Sequence, residues 1–285
     1  MKKISLNIDP HFTPFRRSMS CNDFGITKFS FPSGCERHIK IQGGLPPDYP
    51  VVITTRIKSS DDIIDFIFTV DALRRYGIKK IKAFIPYLPF ARQDRIMVPG
   101  EPFSLKVFTN IINSLELDEV MVYDPHSDVS AALLNKCVVM KNYIFVAKCL
   151  ANKHDYHIVS PDAGAYKKIF DVCEAIGYKS DIILCNKVRD VSTGKIKKLS
   201  IDTQDLQGKD CYIIDDICDG GGTFVLLAQE LRKHNCGKIN LIVSHGIFSK
   251  GIDAIEGIDH IYTTDSVQDF THEKVTQIKL CDILI

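Results

Sequence analysis

Cys211-Tyr-Ile-Ile-Asp-Asp-Ile-Cys-Asp-Gly-Gly-Gly-Thr-Phe224 passes from an apolar strand through two adjacent carboxylates, a third, three glycines and a hydroxyl into a helical run. A buried strand ending in Asp215 and Asp216 presents acceptors for sugar hydroxyls. After Asp219, the run Gly220, Gly221, Gly222 and Thr223 lets backbone N–H groups crowd an anion at the start of a helix. A sugar and a phosphate are implied together, on a strand-to-helix turn of the kind found in α/β layers.

On the N-terminal side, strands and helices alternate. Val51, Val52 and Ile53 read as a buried strand; Ser59 or Ser60 caps a helix with Asp61 and Asp62 in its first turn and Ile63, Ile64, Ile67, Val70 and Leu73 at helical spacing. A strand from Ile81 to Pro86, a helix opened by Ser104 and a strand from Val120 to Tyr123 follow, the last stopping at Asp124-Pro-His126. Asn142 caps a helix through Leu150, Tyr156 to Val159 form a strand ending in Ser160-Pro-Asp162, and a helix from Ala165 to Ile176 closes at Gly177. Ile182 to Cys185 make another strand, before a polar stretch from Asn186 to Ser200; beyond the quoted run comes a strand from Ile239 to Val243. Residues 1 to 58 are rich in Pro and Gly, and Ile39 and Ile41 alternate as in a β-hairpin.

This alternation predicts parallel sheets flanked by helices, in which ligands bind at the carboxyl ends of strands. Asp124, His126, Asp162, Lys187, Arg189, Asp215, Asp216 and His245 all fall just after an apolar run. The second half repeats the strand, acid, loop and helix order of the first, which predicts a duplicated architecture with domains 1–141 and 142–285.

Composition narrows the function classes. The 285 residues suffice for two domains with their own cores. Lys plus Arg (36) nearly cancel Asp plus Glu (35), so no overall basic field gathers nucleic acid, and a small-molecule partner is expected. No run reaches the ~20 apolar residues of a membrane span and the N-terminus lacks a signal-peptide pattern, so a cytoplasmic protein with no membrane partner is expected. The ten cysteines contain no Cys-x-x-Cys and lie among apolar runs, as reduced buried thiols do.

Residues 85–95, Ile-Pro-Tyr-Leu-Pro-Phe-Ala-Arg-Gln-Asp-Arg, place two arginines, an amide and aromatics after a strand. Arg92 and Arg95 suit phosphate oxygens and Gln93 suits a base or ribose edge, although a solvated basic loop reads the same way from composition. The quoted glycine run resembles the phosphoribosyl-diphosphate motif shared by type I phosphoribosyltransferases and ribose-phosphate diphosphokinases. The arginine loop resembles the ATP-site signature of the second group alone. The resemblance to ribose-phosphate diphosphokinases (PRPP synthetases) runs from about residue 29 along nearly the whole chain.

That resemblance implies two type I phosphoribosyltransferase-like domains. It implies ATP held by Phe31, Glu36, Arg92, Gln93 and Arg95, with Phe31-Pro-Ser-Gly-Cys-Glu36 reaching a neighbouring subunit's adenine site with one residue more than the family's spacing. Asp124-Pro-His126-Ser127 and Ser160-Pro-Asp162-Ala-Gly164 resemble the metal-binding segments, making His126 and Asp162 the expected magnesium residues. Imidazole is an unusual ligand for an ion that prefers oxygen, so His126 rests on the resemblance. Lys187-Val-Arg189 resembles the Lys-x-Arg of the catalytic loop, and Asp215, Asp216, Asp219 and Gly220 to Thr223 are the expected ribose-phosphate residues. A homo-oligomer of at least two subunits is implied, because the adenine site is completed across a subunit boundary.

The chain departs from the family's Asp-Thr-x-Gly-Thr loop at Gly220, which removes a hydroxyl donor and leaves more room. The acceptor therefore reads either as ribose 5-phosphate or as ADP-ribose, the acceptor of a related group acting in NAD reconstitution. A phosphoribosyltransferase is disfavoured by the ATP loop, and a non-catalytic relative by retention of Lys187 and Arg189.

Overall fold

The computed structural model describes residues 4–15, 25–34, 36–44, 48–189 and 196–284, with side chains at 187–189 and 196–198 outside the description. The chain forms two compact units, Met1–Lys141 together with Lys279–Ile285, and Asn142–Ile278.

The first unit holds β1 (Ile4–Asn7), β2 (Gly25–Ser30), β3 (Arg37–Gln42), β4 (Val51–Thr54), α1 (Ser60–Arg75), β5 (Ile81–Ile85), α2 (Ser104–Ser114), β6 (Glu119–Tyr123), α3 (Asp128–Leu133) and β7 (Cys137–Met140). Its five-stranded sheet runs β1-β4-β5-β6-β7 with every pair parallel. Ile53, Ala83, Ile85, Val120 and Val122 pack in one core with Phe66, Val70 and Leu73 of α1 and Leu105, Phe108 and Ile112 of α2. Ser59 caps α1 through a reciprocal box, its hydroxyl accepting from Asp62 N–H while the Asp62 carboxylate accepts from Ser59 N–H. The C-terminal segment joins this unit with Leu280, Ile283 and Leu284 buried, a grouping that reading the chain in order does not anticipate.

The expected hairpin is β2 paired antiparallel with β3, and a buried ion pair fixes it to α1. Arg37 Nε and Nη2 donate to the two oxygens of Asp65 at 3.1 and 2.6 Å, and Lys28 Nζ lies 3.4 Å from the same carboxylate, whose side chain has no exposed surface. This explains a charge on the core face of a helix, which the apolar spacing alone did not mark. Removing one partner strands the other's charge in the interior. Arg37→Met is expected to lower unfolding stability by about 3 kcal/mol in a denaturant titration. Adding Asp65→Asn should recover most of that loss.

The second unit holds α4 (Tyr143–Leu150), β8 (Tyr156–Ser160), α5 (Ala163–Ile176), β9 (Ile183–Arg189), β10 (Ile196–Ile201), β11 (Asp210–Cys218), α6 (Gly222–Arg232), β12 (Ile239–Gly246), β13 (His260–Thr264) and β14 (Val275–Ile278). The sheet order is β10-β9-β8-β11-β12-β13-β14, parallel except for the β9–β10 pair. From β8 the chain steps outward to β9, then returns to β11 and runs the other way, so the strand order reverses between β8 and β11. Open parallel sheets bind ligands at such a reversal.

The stretch read as polar loop from Asn186 to Ser200 is corrected. β9 continues to Arg189 and pairs with β10, Leu199 opposite Lys187 and Ile196 opposite Arg189. Leu199 and Ile201 pack on the unit's core, so alternate apolar positions make a strand of a charged segment. Residues 190–195 lie outside the described residues. Eight described cysteines are free thiols, with burial pushing Cys149 upward and Cys211 up to about 12; Cys21 and Cys35 lie outside the described residues. Among the described residues no helix is long and apolar enough to cross a membrane.

Candidate active site

The acids of the decisive stretch sit within β11, which runs on to Cys218, rather than after its end. β8 pairs with β11 only as far as Ile213, so beyond that residue β11 is laddered to β12 alone. Asp215 and Asp216 therefore stand where one edge of the strand has opened, at the reversal of strand order. Asp216 N–H donates to Asp215 Oδ1 at 2.8 Å. Burial first, and then the charge of Asp216, raise the Asp215 carboxyl well above the usual carboxylate range, with Asp162 adding to the rise. Three acids thus converge electrostatically on the end of β8 and the open edge of β11. A site that keeps an acid in this state awaits either a hydroxyl to hold or a cation.

Asp162 has a structural task as well. It caps α5, its Oδ1 accepting from Ala165 N–H at 3.0 Å, and Ser160 Oγ donates to its carbonyl. Capping α5 and standing near Asp215 are compatible tasks for one carboxylate.

The glycines divide by physical need. Gly221 caps α6 at φ +74°, and a Cβ there would come within 2.7 Å of Ile255 Cγ1, so both backbone and space demand glycine. At Gly220 a Cβ would make ordinary contact with the Lys250 side chain, and at Gly222 it would meet nothing within 4 Å. α6 carries no side-chain cap, and its first N–H groups are offered to an anion by the dipole of a helix that runs from Gly222 to Arg232. Asp219 and Gly220 form the turn leading into it.

Lys187 and Arg189 belong to β9, and only their backbone is described.

In the first unit, Arg92 and Gln93 are exposed on the turn after β5, where Phe90 takes φ +63° and Gln93 N–H donates to Phe90 O. Arg95 is engaged by its neighbour, Nε and Nη2 donating to the two oxygens of Asp94 at 2.8 and 3.1 Å. The Arg95 guanidinium holds the Asp94 carboxyl below its usual range; Ser127 and the charge of His126 act in the same direction, against burial. The charge of His126, an exposed residue beyond β6, thus reaches Asp94 in the arginine loop. Sequence reading passed over Asp94, although it lies inside the loop that drew attention. Its signal was an acid between Gln93 and Arg95, too short a range to betray a contact with residues 126 and 127.

The hairpin presents Phe31 at 44% exposure and Glu36, also exposed. Phe31 is not alone: Phe29 packs edge-on against it at 5.2 Å between ring centroids and against His38 at 4.7 Å. The three rings form an exposed aromatic cluster on the pinned hairpin. Phe29 and His38 were not read from the sequence, because cross-strand neighbours emerge only once the register is known.

Among the described residues no three His, Cys, Asp or Glu side chains cluster as a metal cage. Magnesium carried by a nucleotide needs only one or two protein ligands, its remaining positions being filled by phosphate and water. The oxygen-only acids around Asp215 fit such an ion.

Residues 36–115 match the family model for the N-terminal domain of ribose phosphate pyrophosphokinase, and residues 138–279 match that for the phosphoribosyl transferase domain. Over 228 residues the chain is 31% identical to the ribose-phosphate pyrophosphokinase of Mycoplasmopsis pulmonis, covering 78% of this chain and 70% of that one. It is 30% identical to the Pyrococcus abyssi enzyme of the same name over 261 residues, covering 90% and 87%. The crystal structure of phosphoribosylpyrophosphate synthetase from Mycobacterium smegmatis superposes with a TM-score of 0.85 at 19% identity over 99% of this chain and 96% of that one, which establishes the shared fold.

Proposed function

This chain belongs to the ribose-phosphate pyrophosphokinase family of transferases, and from that premise we propose that it moves the β,γ-diphosphoryl group of ATP to the anomeric hydroxyl of a 5-phosphorylated ribose. Oxygen O1 of the ribose forms a bond to the β-phosphorus while the bond from that phosphorus to the oxygen bridging the α-phosphorus breaks. AMP leaves with the bridging oxygen, the O1 proton passes to solvent, and with ribose 5-phosphate the other product is PRPP.

The observation that carries this reading is the close succession of Asp215 and Asp216 in β11 and the start of α6, which has no side-chain cap. The acids accept from the ribose 2- and 3-hydroxyls, and residues 219–223 hold the 5-phosphate. Arg92, Gln93 and Arg95 hold ATP, Arg95 exchanging Asp94 for phosphate. His126 would hold the magnesium carried by ATP and Asp162 would serve a second metal position, where a bound ion would neutralise phosphoryl charge. Lys187 and Arg189 stabilise the charge that develops on the transferred group. AMP formation from ATP that depends on added ribose 5-phosphate tests the reading; no AMP with any ribose acceptor would refute it.

ADP-ribose is the alternative acceptor, because a Cβ at Gly222 would meet nothing within 4 Å, which leaves room at the phosphate loop for a larger 5-substituent. Assays at equal concentrations of ribose 5-phosphate and ADP-ribose decide between them by AMP yield.

The exposed rings of Phe29, Phe31 and His38 support adenine stacking by a hairpin lent to a second subunit in a homo-oligomer. Base-to-ring stacking is worth roughly 1–3 kcal/mol. Phe31→Ala is expected to raise KM for ATP about tenfold while leaving the melting temperature within a degree or so, since the ring is half exposed.

A further inference from the structure

We propose that Lys250 is a specificity-determining residue of the acceptor site, supplying to the phosphate on ribose C5 the charge that replaces a missing hydroxyl donor at Gly220. The proposal rests on the acceptor site described above and names a residue that the motifs do not mark.

Lys250 is exposed, and its stem lies along the phosphate loop. Its Cε, Cδ and Cγ stand 3.5, 3.6 and 3.8 Å from the point where a Cβ on Gly220 would be. A Cβ at 220 would make ordinary van der Waals contact with the lysine stem, so the two positions share one space. Absence of a side chain at 220 and presence of a long cationic one at 250 are therefore two halves of one arrangement.

The backbone around Lys250 is held to the loop's own strand. Ile247 and Phe248 N–H both donate to Cys218 O, at 2.8 and 3.2 Å, directly before Asp219. Phe248 turns the chain at φ +49°, Gly251 N–H closes the turn onto Phe248 O at 2.9 Å, and Gly251 itself takes φ +83°. Lys250 is thus carried on a tight turn registered against residues 218–220, not on a wandering loop. Among the described residues no carboxylate forms an ion pair with it.

An ammonium and a hydroxyl grip phosphate differently. A threonine hydroxyl donates one short, directed bond; a lysine acts as a point charge with rotatable donors that tolerates a shifted phosphate. Its contribution falls with salt, because the side chain is exposed. The exchange keeps affinity for a C5 phosphate while relaxing the geometry demanded of whatever follows it.

The test measures KM of ribose 5-phosphate and ADP-ribose in Lys250→Met, Gly220→Thr and Gly220→Thr/Lys250→Gly, with ribose 5-phosphate binding followed by calorimetry. Lys250→Met is expected to raise acceptor KM and Kd about tenfold, as loss of a charge-assisted hydrogen bond does, with kcat and KM for ATP within about twofold of wild type. The double variant should return to within about threefold of wild type, and the wild-type Kd should rise with ionic strength more steeply than that of Lys250→Met. An unchanged KM and Kd in Lys250→Met, with an active wild type, overturns the role of Lys250 and leaves the family reading intact. A wild type that neither forms AMP nor binds ribose 5-phosphate overturns both.

Discussion

Asp215→Asn is expected to melt above the wild type at pH 7 while losing roughly 10²-fold in kcat/KM, the loss expected for a charge-assisted hydrogen bond at the upper end of its range. The two effects share one cause. Burial and the charge of Asp216 raise the Asp215 carboxyl in the folded chain above its value in the unfolded one. Such an acid costs nothing below the unfolded value of about 3.9, where it is protonated in both states. As pH rises from there through the raised folded value, the unfolded chain gives up its proton more readily, and folding stability falls. An amide removes this penalty. The gain in melting temperature should be present at pH 7, shrink through pH 5 and vanish near pH 4, as read by calorimetry. If the variant melts no higher at pH 7, Asp215 is not held in the state that its neighbours impose. Binding sites commonly carry such a cost in stability.

Lys187→Ala should lower turnover by about 10³-fold with KM for ATP within threefold and an unchanged far-UV spectrum. Phosphoryl transfer asks little covalent work of the protein, so positioning and neutralisation of charge carry most of the acceleration. Lys187 lies opposite Leu199 in the β9–β10 pair, and its backbone hydrogen bonds do not depend on the side chain. If Lys187 and Arg189 both serve the transferred group, as proposed, removing the second after the first should cost less than it does alone. Rapid-quench measurement of AMP formation, with nucleotide binding followed separately, checks this. Full turnover in Lys187→Ala would remove the residue from the mechanism.

What could be read directly from the sequence was what local chemistry determines. The serine cap at Ser59 or Ser60, the stop at Gly177 and the glycine run at 220–222 each solve a backbone problem within a few residues, and the structure settles the cap on Ser59. Strands alternating with helices gave the layers. What escaped notice depends on contacts between distant residues. Asp65 looked like an ordinary helix acid until Arg37 and Lys28 met it from the hairpin. The β10 strand was hidden because its apolar residues alternate with charges. Asp94 and Lys250 each lie about 30 residues in sequence from the group they face, the charge of His126 and the space at Gly220 respectively. Separation along the chain, rather than weak chemistry, concealed them.

The grouping of Lys279–Ile285 with Met1–Lys141 bears on the order in which the protein is made. The ribosome releases residues 142–278 as one uninterrupted block, so the unit carrying the phosphate loop can close during synthesis. The unit translated first must wait, with places for Leu280, Ile283 and Leu284 unfilled, until residues 279–285 emerge. Nascent-chain stalling before residue 279 should therefore leave the earlier half protease-sensitive and the later half resistant, reversing the order of translation.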